Sequence, residues 1–136
     1  MEWANGDYVL TDDQARMDFE AICQLLAATY WAAHRSREVN ARAMEHSLCL
    51  GLFHQGCQVG FARAVTDQAT FTYICDVVLA PAHRGRGLGR WMMHTLLAHP
   101  QLQTLTYALR TKDAQGFYAA FGFRPAEYLR RSVNPD

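Results

Sequence analysis

A glycine-rich turn, Arg84–Gly85–Arg86–Gly87–Leu88–Gly89, is the segment of the 136-residue sequence whose residue types best suit chemistry. It lies between an apolar run and a segment with helical spacing, so free backbone N–H groups and a helix dipole should favour an anion there. Bare glycine backbone lets phosphate oxygens approach closely, and the guanidinium forks of Arg84, Arg86 and Arg90 suit those oxygens. The turn therefore predicts a phosphate site. The alternative is a tight βα connection with surface arginines, but three alternate glycines are entropically costly unless a close approach to the backbone is required.

Two well-known phosphate motifs do not fit this turn. A Walker A loop needs Lys and then Ser or Thr after its last glycine, and Arg90–Trp91 stand there instead. A dinucleotide fingerprint needs a third glycine where Arg90 stands, and its strand–helix unit normally comes early in the domain rather than past the midpoint. What remains is the pattern R-x-x-G-x-G, set by Arg84, Gly87 and Gly89. A domain that binds another nucleotide is a less specific alternative.

The elements around the turn are predicted from hydrophobic periodicity and from the positions of prolines. Phe71–Leu79 alternates at first and then becomes continuously apolar, which favours a central strand covered on both faces and ended by Pro81. The apolar spacing from Trp91 to Leu97 predicts a helix of about ten residues that stops before Pro100. The turn is thereby expected between the end of a buried strand and the start of a helix.

The remaining segments give the order β, α, α, a three-strand meander, α, β, α, β, which is typical of a mixed sheet flanked by helices. We expect a single domain over residues 1–136, with its core at about residues 7–130. Asp113 is expected to cap the last helix, and Gly122 to end it in a left-handed conformation. The other predicted strands are Tyr8–Leu10, Ser47–Phe53, Val59–Val65, Leu105–Leu109 and Phe123–Leu129, and the other predicted helices are Arg16–Ala28, Arg37–His46 and Asp113–Ala120.

Composition argues against several classes of partner. Lys plus Arg and Asp plus Glu both number 13, and this net charge of zero gives no indication of nucleic acid or an acidic membrane surface. Four scattered cysteines fit neither a metal site nor a disulfide framework, and no apolar segment is long enough to span a membrane. The N-terminus lacks the basic start and apolar stretch of a signal peptide. We therefore expect a cytoplasmic protein without a metal, a nucleic-acid partner or a membrane.

Two segments resemble motifs of the GCN5-related N-acetyltransferase (GNAT) family. Val78–Arg90 is similar to the family's phosphate-binding turn, and Phe117–Phe123 fits its F-Y-x-x-x-G-F element at a suitable distance downstream. Gly60–Arg63 and Val65–Asp67 also look like a group of small bacterial members. The resemblance implies an α/β (α+β) fold with a mixed, mostly antiparallel central sheet and a splayed central strand pair. It further implies transfer of an acetyl group from acetyl-CoA, used as a co-substrate, to a primary amine.

The same resemblance assigns roles along the turn and the strand before it. The pantetheine arm of acetyl-CoA would lie beside the strand, and the turn would hold the diphosphate. A backbone N–H near Leu79 would polarise the thioester and stabilise the oxyanion. Thr111 stands where many members carry an asparagine, and it offers a hydroxyl but no amide. The implied acetyl-CoA-binding residues are Val77, Val78, Leu79, Arg84, Gly85, Arg86, Gly87, Leu88, Gly89, Arg90 and Thr111.

The resemblance also implies a general acid, whereas the base stays open. Tyr118 holds the family's tyrosine position, and a phenol is protonated at neutral pH, so it could protonate the departing thiolate. Asp76 lies in the apolar strand, where an unpaired carboxylate is costly to bury. It should therefore either have a catalytic or acceptor-binding role or be held by structural hydrogen bonds. Thr106 stands where some members have a glutamate base, so a water relay is a further alternative.

The acceptor is expected near the junction of the first two helices. Tyr30 and Trp31 could line an amine site there through cation–π contacts, or could serve only in core and hinge packing. The acceptor is expected to be a small-molecule amine or a peptide, and the sequence does not distinguish among such compounds. The resemblance allows a homodimer. A CoA-binding module that has lost catalysis and acts as a sensor is the alternative function.

Overall fold

A computed structural model describes residues 1–133 and shows one six-stranded sheet with helices on both faces. The strands lie in chain order across the sheet, and every neighbouring pair is antiparallel except the last, which is parallel. The mixed, mostly antiparallel sheet expected from the sequence is thus confirmed. The strands are β1 Glu2–Asn5, β2 Tyr8–Thr11, β3 Leu48–His54, β4 Cys57–Thr66, β5 Phe71–Leu79 and β6 Thr106–Leu109. The helices are α1 Phe19–Ala27, α2 Arg37–Glu45, α3 Leu88–Ala98 and α4 Gln115–Ala119.

Two apolar clusters cover the two faces of the sheet. Neighbouring strand residues divide between them, because side chains alternate along a strand: Cys49 packs with α1 and α2, whereas Leu50 packs with α3. The larger cluster is centred on α3, whose Met92 and Met93 are fully buried. α4 lies on the same face through Phe117. Among residues 1–133, no helix is both long enough and apolar enough to cross a membrane.

β5 carries a bulge opposite the middle of β4. Phe61 pairs with Val78 and Arg63 pairs with Cys75, so one residue of β4 lies opposite the two residues Asp76 and Val77. Asp76 has a φ of +57°, the left-handed conformation found at the first position of one class of bulge, where glycine is usual. The bulge reverses the alternation of side chains. Ile74 faces α3, whereas Val78 faces α1.

β5 and β6 separate just before the bulge. Their parallel pairing runs from Phe71 opposite Thr106 to Ile74 opposite Leu109 and goes no further, although β5 continues to Leu79. The edge of β5 from Cys75 to Leu79 therefore has no ladder partner on the β6 side. We call the space beside this unpaired edge the gap. It is the splayed central strand pair that the sequence resemblance implied.

Several sequence expectations need correction. The predicted strand Phe123–Leu129 is absent, since no regular structure is assigned there and Leu129 is fully exposed. Asp113 does not cap α4; the N–H of Ala114 is bound instead by the hydroxyl of Thr111, at 3.0 Å. β5 is not fully covered on both faces, because Tyr73, Cys75, Val77 and Leu79 are partly exposed and Phe71 is exposed. Gly122 does end α4 with a φ of +90°, as expected.

The first strand was missed. Glu2–Asn5 pairs with β2 as a tight hairpin, and Gly6 at the turn has a φ of +59°. The two-residue loop is Gly6–Asp7, and a glycine at the first loop position is a typical hairpin signal, so the information was present in the sequence.

Replacing Gly60 by alanine tests how tightly β3, β4 and β5 pack before the glycine-rich turn. A Cβ at Gly60 would lie 2.9 Å from Leu79 Cδ2 and 3.0 Å from Leu52 Cβ, closer than side chains pack. We expect Gly60→Ala to lower the free energy of unfolding by about 1–3 kcal/mol, the usual cost of overpacking. Gly116→Ala is the control, since a Cβ there meets nothing within 4 Å. Urea denaturation with equal midpoints for both variants would contradict this packing.

Candidate functional site

The glycine-rich turn leaves the N-terminus of α3 open. β5 ends at Leu79, one 3-10 turn over Pro81–His83 follows, and Gly87 is the residue that caps α3. Gly85 and Gly87 have φ values of +77° and +78°, a backbone conformation that residues other than glycine rarely adopt. No side chain caps the helix and no acidic residue lies in its first turn. The first N–H groups of an eleven-residue helix are therefore available to an anion.

Leu88 fixes the turn to the core. It is 3% exposed and packs within the α3 cluster, so only its backbone can contribute to a binding site. Gly89 follows it at the meeting point of three elements. A Cβ there would lie 3.5 Å from the ring of Phe117 in α4 and 3.8 Å from Leu79 at the end of β5. The turn thus joins the end of β5, the start of α3 and α4 at one place.

The arginines of the turn are held partly by the protein. Arg84 Nε donates to the carbonyl oxygen of Leu79 at 3.2 Å, and Arg86 Nη1 donates to the hydroxyl of Tyr8 at 3.3 Å. The same hydroxyl lies 2.8 Å from His83 Nδ1, so Tyr8 ties both the 3-10 turn and the glycine-rich turn to β2. Sequence reasoning missed Tyr8, because nothing in the sequence relates positions more than 70 residues apart.

Tyr118 lies in α4 with its ring against Phe117 and Phe123, at centroid distances of 5.0 and 6.2 Å. Burial raises the pKa of its phenol, and the nearby Tyr30 and Asp113 raise that pKa further. The hydroxyl has no hydrogen-bond partner within residues 1–133. A phenol that stays protonated and has no partner in the protein can donate a proton to a bound molecule.

Asp76 is held by three donors. The carboxylate is 3% exposed; Oδ1 accepts from Trp31 Nε1 at 3.0 Å, and Oδ2 accepts from Arg35 Nη1 at 2.8 Å and from Arg63 Nε at 2.9 Å. We call these four residues the Asp76 cluster. Burial alone would raise the pKa of Asp76, but the two guanidinium groups outweigh it and hold that pKa below the ordinary value of 3.8.

A carboxylate with a lowered pKa and three donors is a weak base. The geometry therefore favours the structural alternative for Asp76, in which it fixes the bulge of β5 and links β5 to β4 and to the connection between α1 and α2. The neighbouring Cys75 is no better as a base or nucleophile, because burial raises the pKa of its thiol to about 11. Neither Asp76 nor Cys75 is suited to removing a proton at neutral pH.

Arg35 and Arg63 were missed at the sequence level. The signal available was Asp76 itself, since a carboxylate in an apolar strand needs a partner. Which arginines supply the partners depends on the fold, because Arg35 is 41 residues away and Arg63 is 13 residues away.

Tyr30 and Trp31 lie in the connection between α1 and α2, and both make specific contacts. Trp31 uses its indole N–H on Asp76 and packs edge-on against Tyr30 at 5.0 Å. Tyr30 is 54% exposed, its hydroxyl accepts the N–H of Lys112 at 3.0 Å, and Lys112 Nζ lies 5.5 Å from its ring centroid. Tyr30 thereby connects the α1–α2 segment to the segment between β6 and α4, on the other side of the gap.

Thr111, which stands in the place of an asparagine in many proteins with this second motif, uses its hydroxyl inside the protein. It accepts the N–H of Ala114 at 3.0 Å and so begins α4. Within the described part of the chain, no group of three or more His, Cys, Asp or Glu side chains is arranged to hold a metal ion.

Comparison with known proteins places this arrangement among acetyltransferases. The family model described as "Acetyltransferase (GNAT) family" matches residues 16–123. A candidate acetyltransferase of Gibberella zeae (FG08082) is 32% identical over 114 residues, which are 69% of this chain and 64% of the relative. A crystal structure of a candidate GNAT-family acetyltransferase from Xanthomonas campestris pv. campestris has a TM-score of 0.89 and 39% identity, and the match covers 93% of each chain.

A more distant structure shares the fold alone. N-acetylglutamate synthase from Neisseria gonorrhoeae, complexed with coenzyme A and N-acetyl-glutamate, has a TM-score of 0.76 at 18% identity, over 91% of this chain and 30% of that chain. The curated relatives are longer than the present chain, which covers 64% of the first of them and 61% of the next.

The Asp76 cluster predicts a pH-dependent loss of stability. In Asp76→Asn the side chain keeps its shape, and asparagine also tolerates a positive φ. The two guanidinium groups lose their anion, so we expect the free energy of unfolding at pH 7 to fall by about 3 kcal/mol. Because the folded-state pKa of Asp76 lies below 3.8, its stabilisation is complete above that value and is lost as pH falls through the folded-state pKa. The two proteins should therefore converge below about pH 4.

Urea denaturation of both proteins between pH 3 and pH 7 measures this difference. Glu20→Gln is the matched control, since Glu20 also pairs with an arginine, Arg37, but both side chains are more than half exposed. The control should leave stability unchanged, because exposed ion pairs contribute little. A constant difference between Asp76→Asn and the unmodified protein down to pH 3 would contradict the assignment.

Proposed function

The chain belongs to the acetyltransferase (GNAT) family, and we propose that it is an N-acetyltransferase that transfers the acetyl group of acetyl-CoA to a primary amine by direct attack in a ternary complex. Acetyl transfer is the activity that the family and the similar proteins have in common. The observation that carries the proposal is the continuity between two features. The open N-terminus of α3 follows directly from the strand whose edge borders the gap.

Each part of acetyl-CoA has a chemically suitable neighbour in this arrangement. The turn from Arg84 to Arg90 offers backbone N–H groups, a helix dipole and guanidinium groups for the diphosphate. The unpaired edge of Val77–Leu79 offers backbone donors and acceptors to the amide groups of the pantetheine arm. An N–H of this stretch would polarise the thioester carbonyl and stabilise the oxyanion during attack.

The reaction requires a neutral amine, whose nitrogen forms the new C–N bond while the C–S bond breaks. The thiolate that leaves takes a proton from the phenol of Tyr118, and the amine releases a proton. Asp76 is held too firmly to accept that proton, so we assign the transfer to a water relay and keep Asp76 as the residue that positions β5. Holding both substrates in one cleft supplies much of the acceleration.

The acceptor would approach from the α1–α2 side of the gap. Tyr30 and Trp31 lie on this side. Thr111 lies on the opposite side, where its hydroxyl accepts the N–H of Ala114 at the start of α4, and it has no side-chain amide with which to bind the co-substrate. Nothing in the arrangement calls for a metal ion, since the neighbouring N–H groups and the phenol supply the polarisation and the proton.

Binding of acetyl-CoA is tested at Gly87. A methyl group there would strain a left-handed residue by roughly 1–2 kcal/mol and would stand where the diphosphate approaches the helix. We expect Gly87→Ala to weaken acetyl-CoA binding about tenfold or more, as measured by calorimetry. Gly6→Ala is the matched control, because Gly6 also has a positive φ and open space around it but lies in the first hairpin. Equal affinities for the two variants would contradict a diphosphate site at this turn.

The choice of nucleotide is tested in the same samples. Acetyl-CoA should raise the melting temperature of the unmodified protein, since a ligand that binds only the folded state stabilises it, and ATP and NAD should not. Stabilisation by ATP or NAD alone would favour a domain for another nucleotide.

The role of Tyr118 is tested by Tyr118→Phe. Loss of the proton donor should lower kcat by about 100-fold while the affinity for acetyl-CoA stays the same. Tyr107→Phe is the control for removing a phenol, because the Tyr107 hydroxyl donates to the carbonyl oxygen of Leu102 at 2.6 Å, and its loss should lower stability but not kcat. Thiol release from acetyl-CoA measures both. Binding of acetyl-CoA without turnover in any protein would indicate the inactive CoA-binding module instead.

A further inference from the structure

The Asp76 cluster carries more positive than negative charge. It contains one carboxylate and two guanidinium groups, and both guanidinium groups bind the same oxygen, Asp76 Oδ2. Within residues 1–133, no other carboxylate lies within 4.0 Å of Arg35 or Arg63. Their side chains are only 21% and 12% exposed, so water screens the excess positive charge poorly. An anion placed beside them would be stabilised.

Arg35 has donors to spare. It uses Nη1 on Asp76, and its Nε and Nη2 have no partner in the described part of the chain. Arg63, by contrast, uses Nε on Asp76 and Nη1 on the hydroxyl of Ser47, and its side chain is the more buried of the two. The planar guanidinium of Arg35, partly exposed and with free N–H groups, suits the two oxygens of a carboxylate.

The position of Arg35 relates this charge to the acceptor. It lies in the same α1–α2 connection as Tyr30 and Trp31, and its guanidinium is 2.8 Å from the carboxylate of Asp76. Asp76 directly precedes Val77, where the unpaired edge of β5 continues. Only one side-chain length therefore separates Arg35 from the backbone beside which the thioester would lie. The ammonium group of Lys112, which reaches from the segment between β6 and α4, adds a further positive charge 5.5 Å from the ring centroid of Tyr30.

We propose that the acceptor is a small amine that also bears a carboxylate, an amino acid or a close analogue, and that Arg35 binds this carboxylate. The assignment rests on the proposed acetyl transfer and specifies its substrate class. It also helps the chemistry, because positive charge near the amine disfavours the protonated form and so increases the fraction that can attack. Of the charged groups facing this place, Arg35, Arg63 and Lys112 outnumber Asp76 and Asp113.

Matched acceptors test the assignment. Each amino acid of a small panel (phenylalanine, methionine, lysine and alanine) is compared with its amide and with the amine that lacks the carboxyl group, and thiol release from acetyl-CoA is measured. We expect kcat/KM for at least one free amino acid to exceed that of both analogues by about tenfold or more, the usual effect of a charge-assisted bidentate contact.

Variants at Arg35 separate recognition from folding. In Arg35→Gln, the ratio of kcat/KM for the preferred amino acid to kcat/KM for its amide should fall about tenfold, because a general effect on the β5 bulge would lower both values alike and leave the ratio unchanged. Arg35→Lys should give an intermediate ratio, since it keeps the charge without the fork. Arg37→Gln, which removes an exposed arginine two residues further on, is the matched control and should change nothing.

The outcomes distinguish this assignment from the function on which it rests. Equal kcat/KM values for the free amino acids and their amides, or an equal loss with both in Arg35→Gln, would overturn the carboxylate assignment and leave acetyl transfer intact. Binding of acetyl-CoA without acetylation of any member of the panel would overturn both.

Discussion

The structure depends on one carboxylate that holds a strand in an unusual conformation. Asp76 occupies a left-handed conformation in the middle of β5, where a residue with a side chain is strained. Its hydrogen bonds to Trp31, Arg35 and Arg63 offset that strain and connect three parts of the chain. The resulting bulge changes which side chains face α1 and which face α3, and the pairing of β5 with β6 ends just before it. The gap, the turn after β5 and the approach from the α1–α2 side all follow from this arrangement.

The proposed binding site combines residues that are fixed in the core with glycines that have open space around them. Leu88 and Met92 anchor α3 in the core, so the N-terminus of the helix has a fixed place relative to β5. Gly85 and Gly87, by contrast, lie in open space and contribute conformation rather than packing. A binding site built in this way needs few side chains of its own, because a well-packed helix holds the backbone that does the binding.

Local patterns in the sequence predicted much of the fold. Phe71–Leu79 was predicted with the bounds that the structure shows, because it is long and rich in β-branched and aromatic residues. Phe123–Leu129 has two aromatic residues but no β-branched ones, and Pro125 and the absence of a neighbouring strand leave it without regular structure. The phosphate-binding turn was also visible locally, since strand, glycines and helix are contiguous in the chain.

The Asp76 cluster and the Tyr8 contact to the turn could not be predicted, because they join residues far apart in sequence. Sequence reasoning could say that Asp76 needed a partner but could not choose among the arginines. It also could not foresee that the indole of Trp31, expected to serve an acceptor or the core, donates to Asp76.

The shortness of β6 has a consequence for the sheet as a whole. Exposed strand edges normally invite pairing with another chain, and β5 leaves such an edge over Cys75 to Leu79 because β6 ends early. A flexible chain with amide groups spaced along it can form the hydrogen bonds that a neighbouring strand would form. Under the proposed function, the co-substrate acts as a transient seventh strand, and the ladder is complete only while the enzyme is loaded.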